Sequence, residues 1–124
     1  MSFLVLKAYF KLIRFDLYLA RRNFSSLYDA VRNYPLGRHA SDPDAAEQIS
    51  SAVDRACIWY WKEVLCLQRS AATACLLKQY GLPAQMIIGA QSMPFRAHAW
   101  VEVSGRVVSD KPYTPEMYAV LDRC

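Results

Sequence analysis

The chain has 124 residues, 54% of them apolar, with only 4 Gly and 6 Pro and a formal charge of +4. That is the composition and size of one globular domain able to bury a real core without staples, and it excludes low-complexity, collagen-like and disordered classes. The modest positive charge comes with no basic cluster interleaved with aromatics, so no nucleic-acid partner is expected.

Residues 3 to 22 read as the first helix. Lys7, Lys11, Arg14, Tyr18 and Arg21 recur at steps of four and three, which lays a basic stripe along an otherwise apolar cylinder. A packed helix with a solvated edge is the preferred reading over a membrane-surface or partner-binding one. The same charges interrupt the apolar run too often for a secretory signal or a stable membrane insertion, and a cytoplasmic protein is expected. In that compartment Cys57, Cys66, Cys75 and Cys124 are expected as free thiols. Without a C-x-x-C pair, and with His39 and His98 far apart, no metal and no cofactor are expected.

Ser25 or Ser26 is placed to cap a second short helix through Tyr34. Asp42 followed by Pro43 signals a third helix, which runs to about Trp59, and His39 falls in the solvated loop before it. "KQYGLP" is a firm helix stop, and counting back about 14 residues starts the fourth helix near Cys66. Beyond Pro83, "AQMIIGA", "RAHAWVEV" and "RVVSD" read as strands and "PYTPEMYAVL" as a final short helix. Helices followed by consecutive strands make an α+β fold with an antiparallel sheet.

The turn around Ser104 and Gly105 decides which residues face one another. A two-residue loop pairs Val103 with Arg106 and turns His98 and Asp110 to opposite faces. A three-residue loop with Gly105 left-handed pairs Glu102 with Arg106 and sets His98 directly across from Asp110. The second register is preferred because it uses the glycine and forms a Glu–Arg pair. A carboxylate so placed fixes the tautomer of an imidazole and stabilises its charged form. Taken alone such a pair is as readily structural as catalytic. A nucleophile decides, and Cys66 is the candidate, since the first turn of a helix offers unpaired N–H groups that favour thiolate.

These residues also carry a resemblance. "CLQRSAATACLLKQYGLPAQMIIGA" followed by "FRAHAWVEVSGRVVSD" resembles the transglutaminase-like cysteine peptidases of lasso-peptide biosynthesis, the B proteins, strongly over residues 64 to 110 and loosely before. The resemblance implies a transglutaminase/papain-like core in which a small antiparallel sheet packs on the nucleophile-bearing helix. It implies one peptidase domain over residues 1–124, helical over 1–62 and catalytic over 63–124. It further implies Cys66 as nucleophile, His98 as general base and acid, and Asp110 as the orienting carboxylate of a leader peptidase that works through a thioester. Arg69, Ser70 and Trp100 match motif positions without a role; helix surface or packing is expected of the first two, and core filling of Trp100. The Cys66 backbone N–H is expected to serve the oxyanion. A second donor is not identifiable in the sequence; the Trp61 indole is a candidate.

The expected partners are a ribosomal precursor peptide, an ATP-dependent lasso cyclase and a separate leader-recognition protein. The last is implied because the first sixty residues read as all-helical, without the strands of a recognition domain. The basic stripe is a candidate docking surface for that partner. The alternatives are an amine acyl transferase of transglutaminase type and a non-catalytic binding subunit of the maturation complex.

Overall fold

The fourth helix predicted from its stop signal is the axis of the molecule. In the computed structural model, which describes residues 3–38, 44–92, 95–108, 110 and 114–124, α4 spans Cys66–Gln79 and buries nine of its residues. Such a helix needs partners on all sides. Three further helices, α1 (Phe3–Ala20), α2 (Phe24–Arg32) and α3 (Ala45–Trp59), pack on it from one side, and the sheet packs from the other. Val5, Ala8, Leu12 and Phe15 are the buried stripe of α1, and Ile49, Val53 and Ala56 that of α3. Gly81 takes φ +82 just beyond α4, as a left-handed helix stop requires.

The sheet contains β1 (Ala84–Ser92), β2 (Phe95–Val103), β3 (Arg106–Val107) and β4 (Ala119–Arg123), in the order β3-β2-β1-β4, antiparallel throughout. The architecture is the expected α+β fold, with the sheet packed on α4. No helix among the described residues is long and apolar enough to cross a membrane.

Several local expectations are corrected. Asn23, not a serine, caps α2, its Oδ1 accepting from the Ser26 N–H at 3.3 Å. The final segment is only partly helical: α5 covers Thr114–Met117, and the residues after Tyr118 join the sheet as β4. The basic stripe of α1 is not simply solvated. Lys7 donates to the Tyr80 hydroxyl at 3.0 Å and Lys11 to Gln79 Oε1 at 2.7 Å. Both ammonium groups thus sit at the C-terminal end of α4, where the helix dipole favours cations. The proposed cap Asp42, with Pro43 and His39, lies outside the described residues; α3 itself starts at Ala45.

The hairpin register is the largest correction. Val103 pairs with Arg106 and Glu102 with Val107, which is the two-residue loop and not the preferred three-residue one. Ser104 and Gly105 both have positive φ, 52° and 81°, as a type I′ turn demands. The twist of such a turn matches that of its flanking strands, and this outweighs the modest cost of a left-handed serine. Glu102 is therefore not the partner of Arg106.

Candidate active site

Alternation along β2 sorts its side chains. Val101 joins Ala84 and Met86 in the core shared with α4, whereas His98 and Trp100 point to the other face, opposite Gly89 and Ile87 of β1.

On that face His98 Nε2 is in hydrogen-bond contact with Asp110 Oδ2, in spite of the two-residue register. Parity constrains side chains only while the ladder lasts. Among the described residues, the β2–β3 bond nearest to the acid runs from the Val108 N–H to the Val101 carbonyl at 3.0 Å. Asp110 lies beyond β3, where strand alternation no longer sets the direction of its carboxylate. An ionised carboxylate only accepts, so Nε2 carries the hydrogen and Nδ1 is left as the basic nitrogen. The pair is partly buried, at 23% and 20% side-chain exposure, so the ring stays accessible to a reacting group.

Aromatic rings hold the imidazole from the sides. Its centroid is 6.1 Å from that of Trp100, at an interplanar angle of 26°, and 5.4 Å from that of Tyr118. Trp100 is fully buried, and its indole N–H donates to Glu102 Oε2 at 3.0 Å. The second oxygen of Glu102 accepts from Arg123 on β4 at 3.4 Å. Gly89 lies beneath the ring: a Cβ there would stand 2.7 Å from Trp100 Cζ3 and 2.8 Å from Tyr118 Cβ. Trp100 is thus more than core filling.

Cys66 is the first residue of α4 and is partly exposed. Leu65 precedes it and offers no side-chain cap, so the first-turn N–H groups keep their donor capacity. α1 holds this end of the helix. Gln68 Nε2 donates to the Leu12 carbonyl at 2.8 Å, while Asp16 accepts from the Tyr60 hydroxyl at 2.6 Å and from Lys62 at 2.7 Å. Burial first, and then the Asp16 carboxylate, push the Tyr60 phenol up to about 12.

Ser70, one turn further, is buried and donates to the Ala99 carbonyl at 3.0 Å. Carbonyls two apart on a strand point to the same edge, so Ala99 shares the edge that Val101 presents to β3, beyond the point where β3 ends. Ser70 therefore ties the start of α4 to the β3-facing edge of β2, at the chain neighbour of His98. The thiol lies about 6 Å of helix rise before that tie. Among the described residues, no hydrogen bond joins Cys66 to His98.

The other thiols have different settings. Burial pushes Cys57 up, with Arg69 opposing; it pushes Cys75 up to about 11; and it raises Cys124, with Asp122 adding to the effect. Arg69 reaches towards α3, where its charge opposes the burial that raises Asp54, and its Nε is buried without a hydrogen-bond partner among the described residues. Trp61 is 71% exposed, stacked on Tyr60 with the Lys62 ammonium 4.9 Å from its ring centre. No group of three or more potential ligands suited to a metal occurs among the described residues.

The family model described as the Transglutaminase-like superfamily matches residues 10–123. A curated relative, the Microcin J25-processing protein McjB of Escherichia coli, is 36% identical over 56 residues, which are 45% of this chain and 27% of that protein. The match thus spans about a quarter of the relative's length. No solved structure matches.

Proposed function

The chain belongs to the transglutaminase-like superfamily, and on that premise we propose that it is a cysteine peptidase that removes the leader from a lasso-peptide precursor. The observation that carries the reading is the His98–Asp110 contact, set beside the edge to which Ser70 ties the start of α4. The identity with a protein named for processing microcin J25 supports processing as the role.

In the proposed reaction the Cys66 thiolate attacks the carbonyl carbon at the leader–core junction. The oxyanion is met by backbone N–H groups of the uncapped first turn of α4. His98, protonated and steadied by Asp110, gives its proton to the departing amine as the C–N bond breaks, leaving a thioester. Water then attacks; His98 takes its proton, and the leader carboxylate and the thiolate are released. These steps use only the chain's own residues and water. The whole of residues 1–124 acts as one cytoplasmic peptidase domain. A recognition protein delivers the precursor, and an ATP-dependent cyclase takes the freed core.

The test is a precursor incubation read by mass spectrometry, with and without a small primary amine. A leader ending in a free carboxylate is expected in both. An amide adduct of the leader would instead make the protein an acyl transferase. Cys66→Ala is expected to abolish product, and Asp110→Asn to slow cleavage about 10²–10⁴-fold through the wrong tautomer. Undiminished processing by Cys66→Ala would mean a binding subunit.

A further inference from the structure

We propose that Glu102 is a positioning residue for His98, acting through the Trp100 indole that it grips. The inference rests on the reading of His98 as the base.

A buried carboxylate is costly to keep unless its partners are good, and a neutral acceptor would satisfy an indole N–H equally well. Glu102 is 7% exposed, yet it is held as a charge between Trp100 and Arg123. Its grip has a geometric consequence. The indole N–H is held by Glu102, and the six-membered edge occupies the space that a side chain at Gly89 would fill. Fully buried and bonded at one edge, the ring keeps one face towards His98. That face, with Tyr118 alongside, keeps the imidazole in the orientation in which Nε2 meets Asp110. An aromatic face also favours imidazolium over imidazole, the form the base must pass through. Arg123 links the device to β4, so the strand at the far edge of the sheet takes part in aiming the ring.

The titratable and charged groups beside His98 are Asp110 at Nε2 and Tyr118 at its side, with Arg96 two and Glu102 four positions along the same face of β2; the Cys66 thiol opens α4, whose Ser70 is tied to Ala99. The experiment must separate a field from a grip. The ring proton of His98 is followed by NMR titration in the wild type, Glu102→Gln, Trp100→Phe and the double variant, with kcat and KM for precursor cleavage measured alongside. Glu102→Gln is expected to lower the His98 midpoint and to lower kcat by about tenfold, with KM unchanged. The double variant is expected to match Trp100→Phe alone, because the influence travels through the indole N–H. A further shift in the double variant would show that Glu102 acts through space and would overturn the proposal. So would a Glu102→Gln protein whose only change is a lower Tm.

Arg123→Gln covers the case in which the buried variants do not fold, since this side chain is half-exposed. Stripping the counter-charge raises the His98 midpoint if Glu102 acts by its field, and lowers it if the loosened carboxylate frees the indole. The titration stands even if no precursor is cleaved, so failure of the peptidase reading is distinguishable from failure of this one.

Discussion

Ser70 Oγ on α4 donates to the backbone carbonyl of Ala99 on β2 at 3.0 Å, with both residues buried. Ala99 is the chain neighbour of His98, and Ser70 lies one helical turn after Cys66. The bond is therefore a short mechanical link between the helix that starts at the thiol and the strand that carries the imidazole. Ser70→Ala leaves a buried carbonyl without its donor and should cost about 1–2 kcal/mol of stability. Cleavage should fall further than that loss explains, because the start of α4 is no longer tied to β2. Urea denaturation beside kcat/KM checks this, and activity falling only in step with the folded fraction would refute it.

Thiol reactivity should single out one cysteine. Cys57, Cys75 and Cys124 are all raised by burial, Cys75 to about 11, so at about neutral pH they are poor nucleophiles. Cys66 is partly exposed on an uncapped helix start. Brief treatment with iodoacetamide followed by peptide mapping should find Cys66 modified first and Cys75 untouched. Cys57 reacting equally fast would count against the assignment.

Gly89 is predicted to be intolerant of any side chain. Its φ is not in the left-handed region, so the obstacle is space rather than backbone strain. A methyl group would press on the Trp100 ring at 2.7 Å and on Tyr118 Cβ at 2.8 Å. Gly89→Ala should destabilise by about 2 kcal/mol as the aromatic group is forced apart. A midpoint in urea equal to that of the wild type would disprove the crowding.

Asp16 ties α1 to the segment that leads into α4, and its ionisation gives the fold an acid limit. Burial alone would raise its carboxyl, but the hydrogen bonds from Lys62 and Tyr60 and the Lys62 charge outweigh that and hold it below its ordinary 3.8. A carboxyl lowered in the folded state contributes stability that is complete above the ordinary value. That contribution disappears as pH falls through the folded value. Asp16→Asn should therefore lose about 2 kcal/mol near neutrality. The variant and wild-type stability curves should converge as pH falls below the ordinary carboxyl value of 3.8 and through the lower folded one. Parallel curves across that range would place the acid sensitivity elsewhere.

How legible each feature was depends on how local its cause is. The start of α4 at Cys66 and its stop at Gly81 could be read because a left-handed glycine and a proline act on their own few residues. The hairpin register could not, because a Ser–Gly pair suits two turns and the choice is made by strand twist. The Glu102–Arg106 attraction that seemed to decide it is absent; that carboxylate turns inward to Trp100 and Arg123. The contact of His98 with Asp110 does not rest on the expected register, since the paired residues of β3 stop at Val107 and Asp110 lies beyond them. Ala119–Leu121 reads as the end of a helix because the stretch carries no strand signal of its own; the edge of β1 recruits Ala119–Arg123 from about thirty residues away. The stack of Trp100 on His98 depends on an empty place at Gly89, which no single stretch of sequence displays.

β4 also has a consequence for synthesis. Cys124 exchanges two backbone hydrogen bonds with Met86, at 2.8 and 3.1 Å, and Arg123 reaches Glu102 across the sheet. While residues 119–124 are still inside the ribosomal exit tunnel, β1 has a bare edge and Glu102 lacks its cation. The helices can dock during translation, but the sheet is completed only once this segment has emerged. Without residues 119–124 the sheet would therefore lack both the strand that covers β1 and the cation that meets Glu102.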